Sequence, residues 1–325
     1  MSYKEISKVH EELGKLIEEK VKLRPKLTQE FASQYRVSVE DLVGGKVEPK
    51  MITKFYRHLS DSIRKLNNEK IPGDVTIERI NIGELSAEWI YVPEASEHKI
   101  YLTLFGGGYF MGNLESRRWI PYLLSKVTNY RCLNIGYRLA PEHPFPAALD
   151  DSINAYQWLL AKDIDPNNII IGGESAGGGL TMATLLKLKE LKLPLPKAAV
   201  MMSPWVDLTV SGKSLETNYK YEPEMAEGLK SIASLYAGGN STKNPLISPV
   251  FADLGGLPPL LIQAGGIEAL LDDSILLAER AKSAGVQVTL EVYENMNHVF
   301  QLFGDVLSES MKAFDKIKKF IDSLP

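Results

Sequence analysis

Asn168-Ile169-Ile170-Ile171-Gly172-Gly173-Glu174-Ser175-Ala176-Gly177-Gly178 is the stretch on which the reading of this chain turns. Its first half is a short apolar run of β-branched residues, the pattern of a buried strand. A helix-like segment, residues 178–191, follows directly. Between the two lies Gly-x-Ser-x-Gly. A strand that enters a helix through this pattern carries its serine on a bend so tight that only small neighbours fit. Gly173 and Gly177 supply that room, and glycine tolerates the backbone angles required. The Ser175 hydroxyl is then expected at the carboxyl end of a strand and at the start of a helix. Free N–H groups at that helix end favour developing negative charge. The plainer alternative is a glycine-rich turn with an idle serine.

Outward from this point the chain alternates. Strands are expected at residues 75–82, 87–92, 100–105, 132–137, 169–172, 198–203, 259–264 and 286–293. The first two read as a hairpin. Helices are expected at 117–128, 146–161, 178–191, 274–283 and 308–323. Alternation of strand and helix from about residue 98 onward predicts a mostly parallel eight-stranded sheet covered on both faces, an α/β class. Residues 1–66 read as helical instead, with Val9, Leu13, Leu16, Ile17 and Val21 at helical spacing. Pro25 is expected to end that first pattern, with further helices at 31–42 and 49–66. Residues 205–241 interrupt the alternation with a polar stretch and a helical one at 222–236. Open sheets bind ligands outside the carboxyl ends of their strands. Residues 1–66 and the 205–241 insertion are therefore expected to cap Ser175, and 67–325 to form the catalytic domain. Phe31, Tyr35, Phe110, Trp205 and Tyr219 are candidates for lining the space beneath such a cap.

The 325 residues are 44% hydrophobic and 24% charged, which suits a globular chain with a large core. A net charge of -4 gives no footing for nucleic acid. Cys132 is the only cysteine, so no intramolecular disulfide forms, and its apolar surroundings read as a buried strand thiol. No Cys/His spacing suggests a metal, and no stretch matches a nucleotide phosphate loop. No cofactor is expected. No apolar run approaches a membrane span, and the first residues lack the apolar stretch of a secretory signal. A cytoplasmic location is the resulting expectation.

A serine hydroxyl needs a base, usually histidine, oriented by a carboxylate. Where an elbow of this kind is used, the order along the chain is nucleophile, acid, base. Of His10, His58, His98, His143 and His298, only His298 follows Ser175. It lies in the loop after the last expected strand. The acid should follow the preceding strand, where Glu268, Asp272 and Asp273 compete. Glu268 stands closest to the strand end and is taken as the acid, with Asp272 second. Asp272 and Asp273 suit the start of a helix. An oxyanion also needs N–H donors. Ala176 offers one, and Gly106-Gly107-Gly108, after the strand at 100–105, offers a loop whose backbone can come close to substrate.

Taken together, Gly106-Gly107-Gly108, Tyr137-Arg138-Leu139-Ala140-Pro141-Glu142, Gly173-Glu174-Ser175-Ala176-Gly177-Gly178 and His298 resemble the hormone-sensitive-lipase-like esterases of the α/β-hydrolase fold. The likeness covers about residues 75–325, and the helical N-terminus resembles the family's cap. It implies a carboxylic ester hydrolase acting on small-molecule esters of short to medium acyl chains, without a cofactor. By the resemblance, Ser175 is the nucleophile, His298 the base, Glu268 the acid, and Gly107, Gly108 and Ala176 the oxyanion donors. Arg138 and Asp150 match positions that hold structure together. Relatives often pair through the last strand and helix, which here implies a homodimer through 286–293 and 308–323. Met311, Phe314, Ile317 and Phe320 read equally well as core. An amidase or acyltransferase would use the same triad. Plant gibberellin receptors are similar in fold but lack the histidine, which this chain has. One departure stands out: the family's motif begins with histidine, and here Phe105 takes its place. Phenylalanine offers no hydrogen bond, so packing must hold the loop.

Overall fold

The computed structural model describes residues 11–325. Eight strands form one sheet: β1 (Thr76–Ile82), β2 (Leu85–Tyr91), β3 (Ser96–Leu104), β4 (Tyr130–Ile135), β5 (Ile169–Glu174), β6 (Ala198–Met202), β7 (Leu260–Gly265) and β8 (Val288–Tyr293). Their spatial order is β1-β2-β4-β3-β5-β6-β7-β8. β1 and β2 run antiparallel, and β2 also meets β4 antiparallel. All pairings from β4 across to β8 are parallel. This is the expected α/β sheet, with the expected hairpin at one edge.

The inner strands β4, β5, β6 and β7 are largely apolar because both faces are covered, whereas the edge strands β1 and β8 carry exposed polar residues. Period-two alternation sorts each strand's side chains between two cores. Ile169 and Ile171 of β5 pack on one side, Ile170 on the other. β6 divides the same way, with Ala199 and Met201 opposed to Ala198, Val200 and Met202. The first face is covered by α5 (Ala147–Leu160), α6 (Ala176–Glu190) and α9 (Leu271–Ser283). The second is covered by α4 (Trp119–Thr128) and α10 (Ser308–Asp322). Phe314, Ile317 and Phe320 belong to that second core. Cys132 is fully buried in β4, and burial pushes its thiol far above the usual range, so it acts as a small apolar side chain.

The N-terminal part departs from expectation. Helix α1 (Glu11–Tyr35) continues past Pro25. An interior proline costs about 3 kcal/mol. Leu27, Phe31 and Ala32 beyond it are buried against Leu42, Phe55 and Leu59, a small core of their own. Burial of the larger side chains contributes about 1.5–3 kcal/mol each, which offsets the proline. Residues 1–10, including Val9, lie outside the described part. The expected helix at 31–42 is two helices. The chain turns through the left-handed region at Arg36 (φ 55°), and Ser38 caps α2 (Val39–Val43) by accepting the Asp41 N–H at 2.9 Å. α3 (Pro49–Lys65) then lies on the loops after β3 and β4. Its Arg57 donates to the carbonyls of Phe110 (2.6 Å) and Ala140 (2.8 Å) and pairs with Glu142.

The 205–241 insertion holds the short helix α7 (Ser214–Thr217) and the longer α8 (Pro223–Ala237). Arg138 makes its ion pair with Asp151 and not with Asp150. Its Nε and Nη2 reach Asp151 at 2.8–3.0 Å, while Asp150 is exposed. One residue along a helix is a turn of about 100°, which carries Asp150 to the solvent side.

Candidate active site

β5 ends at Glu174 and α6 begins at Ala176, so Ser175 alone makes the bend. Its backbone sits at φ 55°, ψ -122°. A non-glycine residue held there costs on the order of 1–3 kcal/mol and persists only if its surroundings impose it. The Ser175 N–H donates to the Met202 carbonyl at 2.9 Å, and the Ser175 carbonyl accepts from Trp205 at 3.0 Å and Gly178 at 2.9 Å. The flanking glycines are needed for space. A Cβ on Gly173 would lie 2.1 Å from the Leu104 carbonyl oxygen, and one on Gly177 only 1.9 Å from the same atom. The end of β3 is thus pressed against both.

The loop leaving β3 leans on this bend. A Cβ on Gly106 would fall 2.6 Å from the Glu174 carbonyl oxygen and 3.0 Å from Ser175 Cβ. Gly107 (φ 136°) and Gly108 (φ 61°) both adopt backbone angles that L side chains disfavour. Among the described residues, the N–H groups of Gly107, Gly108 and Ala176 donate to no turn or loop backbone carbonyl. Phe105 is fixed by Tyr137. The two rings stack at 4.3 Å with 21° between planes, and the Tyr137 hydroxyl donates to the Phe105 carbonyl at 2.6 Å. The buried Arg117 passes between Gly107 and Gly112. A Cβ on Gly107 would meet its Nη2 at 3.1 Å, and one on Gly112 its Nε at 2.8 Å. Nη2 donates to Ser60 of α3 at 3.0 Å. Burial lowers the pKa of this guanidinium, and the charges of Asp61 and Glu174 oppose that.

Glu268 lies in the turn after β7 and is fully buried; His298 lies in the loop after β8. His298 Nδ1 is 3.7 Å from Glu268 Oε2. At that distance the two make no hydrogen bond in this structure, and Nδ1 is buried without a partner among the described residues. Such contacts in substrate-free sites often tighten only in the complex. The same Oε2 accepts from Ser203 Oγ at 2.6 Å and from the Gly265 N–H at 3.2 Å. Ser203 Oγ in turn accepts the Val299 N–H at 3.0 Å, so one hydroxyl joins the acid to the histidine's loop. Asp272 and Asp273 are occupied elsewhere. Asp272 accepts the Ser214 N–H at 3.0 Å, and Asp273 accepts those of Val206 and Asp207 at 2.8 Å each. Burial alone would lower the pKa of His298. The nearby Glu268 carboxylate and the charge of Glu222 outweigh it and hold the imidazole above the ordinary histidine value, against Arg64.

Ser175, Glu268 and His298 therefore sit at the carboxyl ends of β5, β7 and β8, with the glycine loop of β3 beside them. Sequence reasoning missed Tyr137, Ser203, Arg117 and Glu222, whose roles arise from contacts between distant segments. Of the five aromatic residues expected near the site, Phe31 is buried in the N-terminal core with Tyr35 against it, Trp205 in the main core, and Tyr219 is exposed and bonded to Glu227. Phe110 alone borders the glycine loop: a Cβ on Gly108 would meet its ring at 3.2 Å and Ile232 of α8 at 2.9 Å. Among the described residues no cluster of His, Cys, Asp and Glu could hold a metal, and no helix is long and apolar enough to cross a membrane.

Residues 101–302 match a family described as alpha/beta hydrolase fold. An acetyl-hydrolase of Streptomyces hygroscopicus is 37% identical over 278 residues, covering 85% of this chain and 90% of that protein. An esterase of Acinetobacter venetianus is 37% identical over 257 residues, covering 77% of this chain and 83% of that one. The crystal structure of an esterase from the bacterial hormone-sensitive lipase family superposes with a TM-score of 0.81 at 39% identity, over 93% of this chain and 97% of that chain.

Proposed function

This chain belongs to the α/β-hydrolase fold family, in its hormone-sensitive-lipase branch, and is a carboxylesterase; on that premise we propose that it works through an acyl-enzyme on Ser175, with His298 as base and Glu268 as its orienting acid. The observation that carries this reading is the Ser175 backbone at φ 55° between β5 and α6. Strain of that kind is maintained where a side chain must be presented, and the three N–H groups that donate to no turn or loop carbonyl lie in the segments beside it.

His298 takes the proton from Ser175 Oγ as that oxygen bonds to the ester carbonyl carbon. The carbonyl electrons move onto oxygen, and the N–H groups of Gly107, Gly108 and Ala176 stabilise it. The N-terminus of α6 adds its dipole. His298 then gives its proton to the leaving alcohol as the C–O bond breaks. Water, deprotonated by the same imidazole, attacks the acyl carbon and frees the acid and the serine. Glu268 fixes the imidazole and stabilises its charged form without taking the proton. Loss of a single oxyanion donor costs roughly 3 kcal/mol of barrier.

Short- to medium-chain acyl esters are the proposed substrates. The word acetyl in the name of the Streptomyces relative supports the short end of that range. Residues 1–66 and 205–241 are proposed to form the cap. Supporting this are Ile232 of α8 against Gly108, Arg57 on the loops after β3 and β4, and the Arg24–Glu224 pair at 3.0 Å joining α1 to α8. Hydrolysis of p-nitrophenyl esters from acetate to dodecanoate, with Ser175→Ala beside the wild type, tests both parts. Turnover greatest at short chains and abolished by the substitution is expected. Turnover that survives in Ser175→Ala would remove the acyl-enzyme reading.

A further inference from the structure

We propose that Glu222, at the start of α8 in the 205–241 insertion, is a positioning residue for the acid–base pair: it ties His298 to the Glu268 turn and adds a second negative charge behind the imidazole. The proposal rests on the triad reading above.

One carboxylate spans the two segments that meet in the site. Glu222 Oε1 accepts the backbone N–H of His298 at 2.7 Å, and Oε2 accepts that of Ala269, next to Glu268, at 2.9 Å. The side chain is 8% exposed. Asn218, four residues earlier, adds a third tie by donating to the Glu268 carbonyl at 2.9 Å. The insertion therefore grips both catalytic loops by their backbones. The His298–Glu268 separation depends on where those two backbones stand, and Glu222 fixes the one against the other. Hydrogen bonds to a charged acceptor are among the stronger ones, and buried ones are costly to lose.

The charge matters as well as the tether. Three charged groups face the His298 imidazole: Glu268 from the turn after β7, Glu222 from the insertion and Arg64 from α3. The two carboxylates favour the imidazolium and Arg64 disfavours it. Burial and the neighbouring Glu268 charge hold the Glu222 carboxyl above the usual glutamate value, against the His298 charge and the two N–H donors. Both of its oxygens accept N–H bonds, which the ionised form does best. An ionised Glu222 stabilises the imidazolium that forms when Ser175 attacks.

The two functions separate by substitution. Glu222→Gln removes the charge and one of two acceptors. Glu222→Asp keeps the charge on a side chain too short to reach both N–H groups. Profiles of kcat and kcat/KM against pH are measured for wild type, both variants and Ser175→Ala, on p-nitrophenyl acetate, with folding checked by thermal melting. Glu222→Gln is expected to lower kcat roughly tenfold with little change in KM, and to move the acidic limb of kcat/KM to lower pH. Glu222→Asp is expected to lose kcat with the limb in place. A purely structural role would leave the limb unmoved in both, and that result overturns the charge function. Wild-type kcat in Glu222→Asp overturns the tether, and this arm stands even if Glu222→Gln does not fold. Residual turnover in Ser175→Ala marks failure of the triad reading itself, independently of either result.

Discussion

At the residue scale, the loop after β3 poses the sharpest question, because Phe105 cannot donate the hydrogen bond a histidine would. Tyr137 supplies a substitute from another strand end, donating to the Phe105 carbonyl in a fully packed setting. Tyr137→Phe keeps the stacked ring and leaves that buried carbonyl without its donor, at a cost of about 1–3 kcal/mol. The expected outcome is a lower melting temperature together with a reduced kcat, because the proposed oxyanion donors of Gly107 and Gly108 ride on this loop. A kcat equal to wild type would mean the stacked ring alone holds it. The sign of the pH dependence also follows at this scale. In the proposed mechanism His298 must be neutral to accept the serine proton, and its carboxylate neighbours raise its pKa. The acidic limb of kcat/KM is therefore expected above the ordinary histidine value of about 6.5. A limb below that value would mean burial outweighs Glu268 and Glu222. Ser175, His298 and Glu268 could be singled out as candidates in the sequence because they follow strand ends, which local pattern reveals, and the structure places them at the ends of β5, β8 and β7. Tyr137, Ser203 and Glu222 could not. Each is an ordinary polar residue whose partner lies 32 to 96 positions away, so only folding assigns it a role.

Elements were legible to the extent that burial dictated composition. A parallel strand covered on both faces reads as an unbroken apolar run, and β5, β6 and β7 announced themselves in this way. The N-terminal helices did not, because tertiary packing overrode a local rule. Pro25 ought to end a helix, yet Leu27 and Phe31 beyond it find a core that the sequence near Pro25 does not reveal. The same logic fixes which substitutions an element tolerates. Ile170 in β5 is completely buried in the core beneath α4 and α10. Ile170→Ala is expected to destabilise the chain by about 2–5 kcal/mol, read as a lower denaturation midpoint with an unchanged slope. A shift under about 1 kcal/mol would mean that α4 and α10 collapse into the space, against the close packing argued for both faces.

For the whole molecule, the question is how firmly the N-terminal helices are held over the carboxyl ends of the strands. Several ties share that attachment: Asp61 of α3 accepts from Asn113 at 2.7 Å and Ser116 at 2.8 Å, Ser60 accepts from Arg117 at 3.0 Å, and Arg57 reaches two carbonyls and Glu142. The ion pair of Arg57 with Glu142 is its more conspicuous contact, but Glu142 is 52% exposed, and such a pair contributes only about 0–1 kcal/mol. The bonds to the carbonyls of Phe110 and Ala140 are sheltered and charge-assisted, at about 1.5–3 kcal/mol each. Glu142→Ala should therefore matter little and Arg57→Ala a good deal. Loosened helices leave the small N-terminal core intact, since Arg57 is no part of it, but let the unit lift from the loop that carries Phe110. Limited proteolysis should then cut within residues 36–48 of Arg57→Ala sooner than in wild type. If that unit covers the acyl site, KM should rise most for the longest p-nitrophenyl esters, while turnover of the acetate changes little. Equal loosening in the two variants would assign Arg57's share of the attachment to the ion pair. An unchanged chain-length profile in a protein whose N-terminal unit is demonstrably loosened would deny residues 1–66 any part in holding the acyl chain.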